Sequence, residues 1–151
     1  MEPLNLPTYS FKIKCLDEKD YIFDIIRRDY FLLIPEEWVR QNFIQYLIHE
    51  KNYPVSLIRV EMFFKVNRLS KRGDIVLFDR KGEPLVLVEC KSTKVNIAQK
   101  TFDQIARYNI KFRVDYLIVT NGLKHYCCKM DYSNHSYSFL KEIPGYDEIV
   151  E

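Results

Sequence analysis

Two acids and a lysine flank a pair of short apolar runs: Asp74 precedes Ile75–Phe78, and Glu89 and Lys91 follow Leu85–Val88. Successive side chains on a strand point to opposite faces, so Glu89 and Lys91, two residues apart, share one. A hairpin through the turn Arg80-Lys81-Gly82-Glu83-Pro84 brings Asp74 beside them. Two carboxylates suit a hard divalent cation such as Mg²⁺, and an adjacent amine suits a water that must be aimed or deprotonated. The chemistry this permits is metal-assisted hydrolysis of a phosphodiester. Alone, the triplet also reads as a surface ion pair at a strand end. Its weight depends on the surrounding elements.

Upstream, Pro35-Glu36-Glu37 opens a helix: proline fits the first helical position, and acids fit the positive end of the dipole. Val39, Phe43 and Leu47 recur at spacing four, Trp38 and Ile48 widen the stripe, and Asn52–Pro54 ends it. Either Glu36 or Glu37 can act as a first-turn acid, and spacing does not choose which presents a carboxylate to the site. Arg40, three residues past Glu37, is placed to pair with it.

Downstream, a second helix is predicted from about Ile97 to Phe112, burying Ala98, Phe102, Ile105 and Phe112. Gln104 and Tyr108 are four apart and share a face, where they suit holding a lysine or touching a phosphate or base. Cys90, between Glu89 and Lys91, is expected to face the core, with its backbone carbonyl a further oxygen ligand.

The remaining elements build a sheet. Strands are predicted over Leu57–Val66, Tyr116–Thr120, His125–Met130 and, weakly, Ser136–Leu140, with Asn121-Gly122 as a turn. Phe11, Ile13 and Cys15 alternate with lysines before the turn Asp17–Asp20, which reads as a hairpin reaching about Ile26. Asn67–Gly73 reads as a basic loop. The fold class is therefore α/β, a central mixed sheet flanked by helices. The chain is expected to be one domain, 1–151, with an arm and hairpin over 1–29 and a motif-bearing core over 30–122.

Composition narrows the partners. A net charge of +2 does not by itself call for a polyanion, so nucleic-acid contact must rest on local clusters. Lys71, Arg72, Lys94 and Lys100, with Arg80 and Lys81, are expected to gather round the acids and track phosphates. Aromatics at 15% leave room for base stacking. Cys15, Cys90, Cys127 and Cys128 show no zinc spacing and read as reduced thiols, while His49, His125 and His135 have no partner at ligand spacing. No apolar run has the length of a membrane span and no secretory leader is visible, so a cytoplasmic protein is expected.

In order along Tyr30–Gly122, the segments PEEWVRQ, KRGDIVLFD, LVLVECKS, QIARY and VTNG closely resemble the N-terminal nuclease domain of type I restriction enzyme R subunits. That domain belongs to the PD-(D/E)xK nuclease superfamily, in the branch with a Gln-x-x-x-Tyr helix. The resemblance implies a restriction-endonuclease-like core and an Mg²⁺-dependent deoxyribonuclease, Mn²⁺ being able to substitute. It places the family's helix acid on Glu37, acting on the metal directly or through a water. It places the metal acids on Asp74 and Glu89, the lysine on Lys91, and the Gln/Tyr pair on Gln104 and Tyr108. Gly73 stands where the superfamily name has proline. No Gly-rich Lys-Ser/Thr phosphate loop occurs, so a stand-alone domain without the ATP-driven motor is expected. DNA is the implied partner, with a second copy or a specificity-supplying protein as further ones. The rival expectation is a nuclease-fold module that binds DNA or a partner without cutting.

Overall fold

Where apolar residues alternate with period two the chain pairs as strands, and where they recur every three or four residues it coils. The computed structural model describes residues 1–66 and 69–150; residues 67, 68 and 151, and the side chains of 62–73, 108 and 111, lie outside the described residues. A three-stranded antiparallel sheet comes first: β1 (Ile13–Leu16), β2 (Lys19–Asp24) and β3 (Asp29–Leu32). The hairpin read from the sequence thus gains a third strand, because Tyr30 pairs across from Phe23.

The helix α1 (Pro35–His49) follows. The strands β4 (Ile58–Val66), β5 (Leu69–Phe78) and β6 (Pro84–Cys90) then form an antiparallel meander. The expected basic loop Asn67–Gly73 is corrected here: from Leu69 onward the backbone is already in β5, paired with β4 from Val66 back to Met62. The helix α2 (Gln99–Asn109) starts two residues later than the periodicity predicts, and residues Ile110–Phe112 continue it as a 3₁₀ turn. Then come β7 (Tyr116–Thr120), β8 (His125–Asp131), β9 (Ser136–Leu140) and a short α3 (Tyr146–Ile149).

The large sheet has the order β4-β5-β6-β7-β8-β9. Its β6–β7 pair is parallel and the others are antiparallel, so α2 serves as the crossover that a parallel pair requires. Alternation divides the strands between two cores. Val86, Val88, Cys90, Ile75 and Ile118 pack with Val39, Phe43 and Leu47 of α1. Val76, Leu87, Leu117 and Cys128 pack with Phe102 and Ala106 of α2. Cys127 and Cys128 accordingly enter different cores. No described helix is long and apolar enough to cross a membrane.

An N-terminal strap ties α1 to the turn between β7 and β8. The Asn5 N–H donates to the Gly122 carbonyl at 2.8 Å, and the Trp38 indole N–H donates to the Glu2 carbonyl at 2.8 Å. Gly122 has φ of +86°, and a Cβ there would lie 2.8 Å from Leu4 Cδ2 and 3.1 Å from Val39 Cγ2. The left-handed backbone favours glycine, and the close approach means that a Cβ would also have to push the Leu4 side chain aside. Gly122→Ala should lower stability by about 1–3 kcal/mol, read as a shifted denaturation midpoint with an unchanged slope.

Candidate active site

The β5–β6 hairpin is what brings the acids together. Ile75 pairs with Val88, and one residue further the same register sets Asp74 opposite Glu89. Ile75 and Val88 both point toward α1, so Asp74 and Glu89 emerge on the α2 side. Asp74 is also anchored across the hairpin: its Oδ2 accepts the Cys90 N–H of β6 at 2.8 Å. Lys91 follows on the face of Glu89, with Nζ 3.4 Å from Glu89 Oε1. Its own N–H donates to the Thr120 carbonyl at 2.8 Å, which holds the end of β6 against β7.

These groups line an open cleft of about 510 Å³ between the two helices, bounded by Glu36, Asp74, Glu89, Lys91, Gln104, Ile105 and Asn109. Cys90 is buried in the α1 core, as its position between two cleft residues requires. Gln104 is exposed at the rim. The Tyr108 side chain, like those of Lys71 and Arg72, lies outside the described residues. Lys94 and Lys100 are exposed, on the connection after β6 and on α2. Arg80 and Lys81 do not join them. They sit in the turn at the other end of the hairpin, and five strand residues put that turn roughly 15 Å from Asp74.

The helix acid also differs from the expectation. Glu36 lines the cleft, whereas Glu37 is buried behind it and fully engaged. Arg27 Nη2 donates to both Glu37 oxygens at 2.9 Å, Arg40 Nη1 to Oε1 at 2.7 Å, and Gln41 to Oε2 at 3.0 Å. The physical reason is rotation: adjacent helix residues differ by about 100°, and Glu37 falls on the same buried stripe as Arg40, Gln41 and Ile44.

This buried network extends in both directions. Asp24, fully buried, accepts from Arg27 Nε at 2.6 Å and from Gln41 at 2.9 Å. Arg40 reaches Asp74 Oδ1 and Glu61 Oε1, each at 3.4 Å, and Glu36 at 3.5 Å. Glu61 lies within β4 yet has φ of +52°, a conformation that costs a non-glycine residue energy and that marks functional neighbourhoods. Burial works against the charge of Arg40, but Glu37, with smaller help from Cys90, Asp74 and Glu61, more than offsets it. One arginine therefore holds Asp74 from behind while leaving Glu89 to Lys91.

Glu89 is less well served. Burial first, and then the charge of Asp74, push its pKa up to about 7, with Lys91 pulling the other way. Two carboxylates facing one another with one half-buried ammonium form a donor set that favours a cation. Among the described residues, no three His, Cys, Asp or Glu side chains are grouped closely enough to hold a metal by themselves. A cation here would rest on the Asp74–Glu89 pair and backbone or water oxygens. Asn109, missed by sequence reasoning, donates to the Ile105 carbonyl while its Oδ1 is buried at the cleft without a partner among the described residues. Its only sequence signal is its place at the end of the helix carrying Gln104.

Two outcomes test this partition. Glu37→Ala leaves two buried guanidiniums short of a counter-charge and should cost about 3–5 kcal/mol, whereas Glu36→Ala should cost under about 1 kcal/mol, both by denaturant titration. Glu89 has a folded-state pKa above its unfolded value, so the stability it contributes is present in acid and lost as pH rises through about 7. Glu89→Gln should therefore stabilise the metal-free protein at pH 8 by on the order of 1–3 kcal/mol and leave it unchanged near pH 4.

Comparison with known proteins bears on the fold and the family. A solved fragment of a protein described as an HsdR subunit of a type I restriction enzyme, from Vibrio vulnificus YJ016, superposes with a TM-score of 0.54 at 21% identity. The match covers 77% of this chain and 24% of that one, so the chain spans about a quarter of that protein's length and the likeness speaks for the fold. Comparison with curated proteins gives no match. The family model described as Type I restriction enzyme R protein N terminus (HSDR_N) matches residues 35–144, from the first turn of α1 to just before α3. The chain that carries this hairpin, cleft and buried network belongs to the type I restriction enzyme R protein N-terminal family.

Proposed function

We propose that the chain is a metal-dependent deoxyribonuclease domain whose cleft hydrolyses phosphodiester bonds. The observation that carries it is the cross-strand pair of Asp74 and Glu89 with Lys91 beside Glu89, all in one open cleft. Asp74, Glu89 and the Cys90 carbonyl would hold Mg²⁺ or Mn²⁺, with Glu36 reaching it through a water. When bound, the ion supplies charge to the scissile phosphate and lowers the pKa of a water.

The chain's own residues divide the remaining work. Arg40 fixes the rotamer of Asp74, so that one carboxylate is aimed before substrate arrives. Lys91 draws on Glu89 at one end of its reach and orients the attacking water at the other. Gln104 lies at the rim, where its amide can meet the lysine or a phosphate oxygen. Tyr108 is assigned beside it by helical spacing alone. Lys94 and Lys100, with Lys71 and Arg72, would track the flanking phosphates. The helix acid is reassigned from Glu37 to Glu36, because Glu37 has no oxygen to spare.

DNA is the substrate class, and other restriction subunits or a second copy are the protein partners that family membership favours. All four cysteines are free, and burial raises the pKa of three of them, as suits a reducing cytoplasm.

The purified chain, incubated with supercoiled plasmid and with single-stranded DNA, should cleave in Mg²⁺ or Mn²⁺. Asp74→Asn and Lys91→Ala should each reduce the rate by about 100-fold or more, and Glu36→Gln by about tenfold. Absence of cleavage in both metals, or cleavage indifferent to Asp74 and Lys91, sinks the proposal in favour of a non-cutting module.

A further inference from the structure

The small N-terminal sheet has two faces of opposite character. Its inner face carries Ile22 and Asp24, both fully buried, together with Phe31 across from Ile22. All three aspartates of its strands, Asp20, Asp24 and Asp29, share that inward parity. The outer face therefore has no acid within the strands.

What it has instead is lysine beside aromatic ring, row after row. The Phe23 N–H donates to the Lys12 carbonyl, which extends the register so that Lys12, Phe23 and Tyr30 form one cross-strand row. Lys14 and Tyr21 form the next, and Lys19 closes the end of the hairpin. All three lysines are exposed and all three rings are half-buried. Lys14 Nζ lies 4.2 Å from the centroid of Tyr30, and Lys12 Nζ lies 5.6 Å from that of Phe23. Phe23 and Tyr30 meet edge to face at 5.2 Å. Among the described residues none of these lysines is in an ion pair, and Lys12 and Lys14 rest on ring faces instead.

We infer that the outer face of β1–β3 is a binding platform for single-stranded nucleic acid, its lysines taking phosphates and its rings taking unstacked bases. The inference rests on the reading of the chain as a DNA-processing domain, and adds a surface apart from the cleft. An ammonium resting on a ring is a placeholder: a phosphate draws it away and the uncovered ring face accepts a base. A duplex keeps its bases stacked and cannot use the rings, so the single strand is the occupant with matching chemistry. An acidic protein would use the lysines but not the rings. The platform is joined to the site without slack. Asp24 on the inner face binds Arg27, and Arg27 binds Glu37 directly behind the cleft. From β3 only Leu33 and Ile34 separate Leu32 from the first residue of α1.

The test is a titration of the full chain with fluorescent oligo-thymidine in EDTA, where no cleavage occurs. Lys12→Gln/Lys14→Gln/Lys19→Gln should weaken binding at least tenfold and reduce the salt slope by about 2, from about 0.7 per lost phosphate contact. Tyr30→Leu should weaken it about five- to tenfold while leaving the salt slope unchanged. Lys124→Gln/Lys129→Gln/Lys141→Gln, which removes the same charge from exposed positions elsewhere, should keep the original affinity and slope. Wild-type chain that ignores the oligonucleotide, a Kd untouched by the first triple variant, or tighter capture of polyglutamate than of oligo-thymidine overturns the platform. A chain that fails here yet cuts plasmid through Asp74 loses this proposal and keeps the nuclease reading.

Discussion

Glu37 is the keystone interaction, an anion with no exposure to speak of that is shared by Arg27 from the small sheet and Arg40 from its own helix. Such a group is tolerable only when every lone pair is used, and Gln41 completes the set. From this centre the charges alternate outward, Asp24 through Arg27 on one side and Asp74 through Arg40 on the other. The network therefore does what an apolar contact could not: it fixes a register among three elements. The small sheet, α1 and β5 can dock in only one arrangement that leaves no charge alone.

The cleft inherits its electrostatics from that arrangement. Arg40 is committed on four acids and contributes one edge to Asp74, so the negative potential at the mouth is reduced without being cancelled. At Glu89, burial first and then the charge of Asp74 raise the pKa, with Lys91 opposing them. For the proposed chemistry, in which a cation would enter before a polyanion, such an intermediate setting is suitable. Full neutralisation would remove the reason for a cation to enter, and none at all would repel the phosphates.

Much of this was legible in residue order, for identifiable reasons. The bounds of β7 and β9 agree with the reading because both are short apolar or alternating runs closed by turn residues. The Asp74–Glu89 pairing followed from one hairpin, a local feature whose register a tight turn fixes. What could not be read was anything set by docking. The choice between Glu36 and Glu37 depends on how far α1 is rotated against the sheet, and only contacts with Arg27 and Asp74, distant in the chain, determine that. Leu69–Gly73 read as a loop because it lacks apolar alternation; it is strand because β4 supplies the hydrogen bonds. Asn109 has no signal beyond helical position.

The hairpin also has a temporal consequence. Asp74 and Glu89 are brought together by closing a five-residue turn, an event of microseconds, while Arg40 must arrive from 34 residues upstream. The two carboxylates thus confront each other early in folding, before their buried counter-charge is in place. Their repulsion is then screened only by solvent ions, so ionic strength bears on the ease with which this hairpin closes. A domain built this way is assembled round its charge problem.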